Sequence, residues 1–322
     1  MNIFSLRRWR ATNGLMLSAL ALLALLALLA LLAPGTASAC ACGCGLFDIG
    51  TSSMYASHAG GMAFLEYDYM DQNRNWSGSR GAPAEDNNDK RIRTRFYTAG
   101  GQYVFNRSWG VSIEVPYWQR DFQTTDASGA VAAFAHGAAG DIRIKGTYTG
   151  LSADMSTGLS VGLKLANGET DDVHFDPDTA IGTGSTDLLI GAYHLGRLTR
   201  DNRWAWFVQG QWDQPVAHQA NYRPGAEGVA VVGTYFEGWQ SAAGVKLAPM
   251  AQLRAVYRLP DGGPDRHPED SGYTRLLAAP GIELAAGNRR VNLDVALPVL
   301  TNVRGNQLVA SPLWKLNVGY HF

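Results

Sequence analysis

The last ten residues constrain the fold most. In Leu313-Trp-Lys-Leu-Asn-Val-Gly-Tyr-His-Phe322, Trp314, Leu316, Val318, Tyr320 and Phe322 share one face, and Lys315, Asn317 and His321 share the other. A period of two belongs to a strand with one apolar and one polar side. The alternation recurs upstream. Val111, Ile113, Val115 and Tyr117 alternate with Ser112 and Glu114. Ile142, Ile144 and Tyr148 alternate with Asp141, Arg143, Lys145 and Thr147. Val291, Leu293, Val295 and Leu297 alternate with Asn292, Asp294 and Ala296. About twelve strands follow from this reading, at 61–72, 90–105, 109–122, 139–149, 156–167, 185–198, 204–215, 235–247, 251–259, 273–285, 290–299 and 312–322.

Alternation alone suits a soluble sandwich as well as a membrane barrel, so the connections decide. Gly-, Pro-, Asn- and Asp-rich stretches at 73–89, 123–138, 168–184, 216–234, 260–272 and 300–311 read as long connections. Short ones are predicted near Asn106–Ser108, Gly150–Met155, Thr199–Arg203, Ala248–Met250 and Ala286–Asn288. Long and short connections in turn, with an even strand count, predict an all-β, closed antiparallel transmembrane barrel with long extracellular loops and short periplasmic turns. Closure matters because an open sheet edge cannot be satisfied in lipid. Trp109, Trp118, Trp204, Trp206, Trp212, Tyr257 and Tyr320 fall near predicted strand ends, where aromatic girdles are expected.

The N-terminal part reads differently. Arg7, Arg8 and Arg10 precede a Leu/Ala run from Leu15 to Ala33, and Ala37-Ser-Ala39 supplies a small-x-small processing pattern. This predicts a signal peptide over 1–39, a Cys-rich periplasmic segment over 40–60 and the barrel over 61–322. An uncleaved anchor and lipoprotein processing at Cys40 are the alternatives. The formal net charge of −1 gives no reason to expect a nucleic-acid partner.

All three cysteines, Cys40, Cys42 and Cys44, stand in one C-x-C-x-C run. Closely spaced thiolates with Ala and Gly spacers suit Cu(I) or Zn(II). A strained, exchangeable disulfide and acylation at Cys40 are the competing readings. No cofactor is required by any other motif.

Several phrases carry a family resemblance. Gly140-Asp-Ile-Arg-Ile-Lys-Gly-Thr-Tyr148, Gly162-Leu-Lys-Leu-Ala-Asn-Gly-Glu-Thr170 and Gly182-Thr-Gly-Ser-Thr-Asp-Leu-Leu-Ile-Gly191 follow one another. Pro280-Gly-Ile-Glu283 and Leu297-Pro-Val-Leu-Thr-Asn-Val-Arg-Gly-Asn306 come later. This order resembles the outer-membrane barrels grouped as the phenol-degradation meta-pathway transporter family, over most of the chain from residue 60 onward. The resemblance implies an outer-membrane channel or uptake protein and no particular ligand.

Alternation also nominates the lumen. Glu66, Asp68, Glu114, Arg120, Asp141, Arg143, Lys145, Lys164, Gln209, Gln211, Lys246, Arg254, Arg258, Asp294 and Lys315 form a polar set of both signs. Either they orient a small solute in a narrow bore, or they pair and fill it. Scattered histidines with no short-range His-x-Ser pairing argue against a hydrolase. The acidic stretches 85–89 and 169–178 lack the spacing of a calcium loop and read as solvated surface. The expected function is an outer-membrane channel for a small solute in a Gram-negative bacterium, with the N-terminus periplasmic. The alternatives are a metal-handling protein centred on the cysteines and a structural barrel acting through its loops. The expected partners are outer-membrane lipid, a small-molecule or metal solute, and the barrel-assembly machinery, which would read the last strand ending in Phe322.

Overall fold

Backbone polar groups of a strand point sideways, so each strand needs a neighbour on both edges, and only a closed ring gives every strand two. In the computed structural model, which describes residues 59–126, 128–219, 221–264 and 268–322, the ring closes. Its elements are β1 (Gly60–Gly78), β2 (Arg80–Gly81), β3 (Asp89–Asn106), β4 (Trp109–Thr125), β5 (Val131–Ala139), β6 (Arg143–Tyr148) and β7 (Thr157–Lys164). They continue as β8 (Ser185–Arg197), β9 (Trp204–His218), β10 (Glu227–Phe236), β11 (Trp239–Gln240), β12 (Lys246–Arg258), β13 (Tyr273–Ala286) and β14 (Arg289–His321). β5 and β6 both pair with β4 and act as two pieces of one stave. β14 supplies two staves: residues 289–303 pair with β13, and residues 306–321 pair with β1. β2 and β11 are two-residue pieces within loops. The result is a 12-strand antiparallel barrel, closed where β10 pairs with β12. Among the described residues no helix is long and apolar enough to cross a membrane.

The alternation becomes an inside and an outside. On β1, Met62, Phe64, Asp68 and Met70 are buried, while Leu65 between them is 66% exposed. On β4, Trp109, Val111, Ile113, Val115 and Tyr117 are exposed, and Pro116, Trp118, Arg120 and Phe122 are buried. An outer wall of exposed Val, Leu, Ile and Tyr side chains is stable only against lipid.

Several boundaries differ from the sequence reading. A strand was expected at 235–247 and a turn near Ala248–Met250. Instead β10 ends at Phe236, the chain turns through Gly244 at φ +79°, and Met250 lies within β12. β10 is hidden in the sequence because both its faces are apolar. Val229 and Val231 point inward, and Ala230 and Val232 point outward. The stretch 123–138 contains β5, and 300–311 is strand on either side of Gly305, whose φ is +64°. Asp270 and Glu269 pack where a Cβ of Gly305 would stand. Trp118 is not a girdle residue: it is 7% exposed and faces inward. Its parity follows from Tyr117, which is exposed.

Candidate functional site

Inside the barrel, most charged side chains pair along the wall with a neighbouring strand. Glu114, Arg143, Lys164 and Asp187 occupy successive register positions across β4, β6, β7 and β8. Lys164 Nζ lies 2.6 Å from Asp187 Oδ2, and Ser185 Oγ donates to Asp187 Oδ1 at 2.6 Å. Lys145 Nζ lies 2.8 Å from Glu114 Oε1. Further round the wall, Lys315 Nζ is 2.8 Å from Glu66 Oε1 and 3.8 Å from Asp68 Oδ1, and Arg254 Nη2 donates to Asp294 Oδ1 at 2.7 Å. Asn317 Nδ2 donates to Glu66 Oε2 at 3.2 Å. Burial makes such pairing necessary, since an uncompensated buried charge is costly.

The rest of the expected lumen set divides. Gln209 is buried on the inner side of β9, and Gln211 shares its face, donating to Asp213 Oδ1 at 2.8 Å. Arg258 turns to the loop residue Asp261 at 2.9 Å. Lys246 is exposed at the start of β12, at the rim rather than in the bore. Asp141 precedes β6 and holds a loop, described next. Cys40, Cys42 and Cys44 lie outside the described residues, as do the proposed signal segment and His58.

The main departure from the sequence reading is the segment 165–184, which enters the barrel instead of standing above it. Three anchors hold it. Asp141 accepts from Gly168 N at 2.8 Å, Thr183 N at 2.9 Å and Thr183 Oγ1 at 2.6 Å. Arg120, 1% exposed, donates from Nη1 to Ala180 O at 3.1 Å and to Thr179 O, and from Nε to Thr94 Oγ1 at 3.1 Å. His136 lies 3.0 Å from Glu169 Oε1 and 3.2 Å from Asp172 Oδ2.

Apolar contacts complete the seat. Phe175 packs against Phe122 with ring centroids 5.6 Å apart. Ile181 joins an interior cluster with Met70, Phe96, Trp118, Phe207 and Leu313. The bore is therefore apolar at this level and charged elsewhere, not polar throughout. The inserted segment explains why Arg120 and Asp141, read from alternation as lumen residues, bind backbone.

The lumen set read from the sequence left out Ser185, Asp187, Glu227, Arg275 and Asn292, all buried. Asp187 was legible as the inward partner of Leu189 once Leu188 and Ile190 are placed outside. Glu227 was lost with β10.

Loop 259–272 is braced separately. Asp261 accepts from Tyr222 Oη at 2.9 Å, Gly225 N at 2.7 Å and Arg258 Nη2 at 2.9 Å, and its own N–H donates to Ser271 Oγ at 2.9 Å. Burial pushes the Asp261 carboxyl up. The Arg258 guanidinium and the donated bonds outweigh it and hold the group below the usual carboxylate range.

A closed antiparallel ring with an apolar outer wall defines the fold of an outer-membrane β-barrel. No protein-family model matches the chain, and no curated protein does. Among solved structures, an outer-membrane channel from Pseudomonas putida F1 is similar at TM-score 0.64 and 9% identity, over 85% of this chain and 100% of that one. The β-domain of the Bordetella autotransporter BrkA follows at TM-score 0.49 and 12% identity, over 82% and 99%. The toluene transporter TodX of Pseudomonas putida gives TM-score 0.40 and 10% identity, over 89% and 95%. At such identities the likeness to the first is one of fold.

Proposed function

We propose that the protein is an outer-membrane channel or uptake protein for a small solute, with its long loops outside and Gly60 and Phe322 at the periplasmic rim. Segment 165–184 acts as its internal gate. The observation that carries this reading is a loop folded into the bore and held there by Arg120 and Asp141. A merely structural barrel acting through its loops has no need to draw one inside. Wall-paired charges leave the bore close to locally neutral, which suits a small solute of low charge.

Planar-bilayer recording tests the reading. The intact chain gives discrete conductance steps of low open probability, and a chain with 170–178 replaced by Gly-Gly opens far more often. Absence of conductance above bare lipid in both forms refutes it and favours the structural barrel. The cysteine run is proposed separately as a soft-metal site. Cu(I) and Zn(II) titrations against a chelator then show binding that is lost when Cys40, Cys42 and Cys44 become Ser. Retention of binding by the Ser form rejects that site.

A further inference from the structure

The outer wall carries a charged feature that a lipid-facing surface normally excludes. Three successive outward positions of β3 hold Arg91, Arg93 and Arg95, while the inward positions between and beyond them hold buried Ile92, Thr94 and Phe96. Their neighbours are Asp71 on β1 and Asp121 on β4. Arg91 grips Asp71, its Nε donating to Oδ1 at 2.8 Å, and Arg95 Nη1 reaches Asp121 at 3.1 Å. The central Arg93 lies 3.9 Å from Asp71 and 3.8 Å from Asp121, beyond hydrogen-bond distance from both, and its buried Nε makes no hydrogen bond. Three guanidinium groups thus share two carboxylates, and one positive charge is left over.

Depth identifies what faces them. One pleat nearer the middle of the wall than Arg95, Tyr67, Tyr97 and Tyr117 stand side by side in register, with Tyr67 and Tyr97 rings 5.3 Å apart. Such an aromatic row marks the membrane–water interface. The arginines therefore begin at headgroup depth, where a lipid-facing cation is nearly free of penalty, and not in the hydrocarbon, where it is costly. Level with the arginines, β5 turns outward Ala133, Ala135 and Gly137, in register with Gln123, Asp121 and Gln119, and the Tyr117 hydroxyl lies against Gly137. The two alanines, level with Arg91 and Arg93, leave room for a headgroup next to those cations. Guanidinium forks match phosphate oxygens, which an ammonium does only as a point charge.

We propose that this ladder binds the phosphorylated glucosamine headgroup of lipid A in the outer leaflet, with Arg93 as the central phosphate ligand. The leaflet assignment rests on the orientation proposed above.

The test is a titration of the full chain, folded in neutral detergent and followed by native mass spectrometry. The probes are bis-phosphorylated lipid A, dephosphorylated lipid A and phosphatidylglycerol. Lipid A binds best, and the combined variant Arg91→Gln, Arg93→Gln, Arg95→Gln binds it roughly a hundredfold more weakly, about fivefold for each lost charge at the membrane surface. Arg93→Lys, which keeps charge and loses the fork, is several-fold weaker than the natural chain.

Unchanged binding by the triple variant overturns the proposal, as does equal affinity for phosphatidylglycerol or for the phosphate-free lipid. Heat-dependent mobility in dodecyl sulfate gels verifies that each variant is folded. If the triple variant does not fold, Arg93→Gln alone carries the test, with a fivefold loss expected and no loss overturning it. Orientation is read separately by labelling exposed Ser128→Cys in intact cells with an impermeant maleimide, in a chain whose Cys40, Cys42 and Cys44 are Ser. Labelling supports the outer leaflet. Shielding overturns the orientation, and with it the lipid A source, even where phosphate binding survives.

Discussion

Replacing Arg120 by Met frees the inserted loop. Arg120 is buried and donates two hydrogen bonds from Nη1 to carbonyls of segment 165–184, besides one from Nε to the wall at Thr94. A hydrogen bond from a charged donor contributes about 1.5–3 kcal/mol, so the two loop bonds together amount to about 3–6 kcal/mol. Releasing a guanidinium from a buried position offsets part of that loss. Met keeps much of the apolar volume against Trp118, whose ring lies 5.7 Å from the Arg120 guanidinium carbon. A net shift of about 3 kcal/mol remains, which changes the ratio of loop-in to loop-out states roughly a hundredfold. Single-channel recording reads this directly as open probability at fixed voltage. The unit conductance of the open state stays the same, because the wall is unchanged. An open probability within twofold of the natural chain, from a variant that still shows heat-dependent gel mobility, refutes Arg120 as the anchor. Asp141→Ala removes the other set of three bonds and raises open probability in the same direction.

Further outcomes follow from the same contacts. Lys315→Met leaves Glu66 and Asp68 without the ammonium that pairs with them. The bore becomes cation-selective, seen as a shift of reversal potential toward that of potassium in a KCl gradient. Asp294→Asn leaves the buried Arg254 without its carboxylate. Unfolding in urea then shows a loss of about 3–5 kcal/mol, the usual cost of breaking a buried pair from one side. The brace at Asp261 has a defined pH dependence. Its carboxyl titrates lower when folded than unfolded, so its stabilisation is fully present above the ordinary carboxylate value of about 4 and fades as pH falls through the lowered one. Hydrogen exchange at the Gly225 amide stays slow from pH 7 to about 5 after correction for intrinsic rates, and protection fades progressively as the pH falls below about 4 and through the lowered value. Asp261→Asn costs about 2–3 kcal/mol of loop stability at neutral pH, read as faster exchange at the same amide.

Local pattern determined much of this protein. A period of two in Val111–Tyr117, Arg143–Tyr148 and the final strand separates an apolar from a polar face, and that separation depends only on pleat geometry. The even strand number and the need for closure follow from the same residues, because lipid leaves no unpaired edge. Where the bore itself is apolar the signal vanished: β10, with Val229 and Val231 inside and Ala230 and Val232 outside, has no polar face to announce it. Gly305 and Gly244 show a related limit, since a hairpin turn between two strands leaves the apolar count nearly unbroken.

The tertiary structure alone decided which charges meet. Arg120 and Asp141 carry the right parity for a lumen, but their loop partners, mostly backbone groups, lie 27 to 60 residues on, in a segment whose Gly, Asp and Pro content reads as solvated loop. Nothing in its composition distinguishes a loop that stands in water from one whose polar groups find partners inside a barrel. The choice is made by a fully desolvated guanidinium and a carboxylate waiting on the wall. The same holds for Arg91, Arg93 and Arg95: alternation places them on one face, but only the closed ring makes that face the outside.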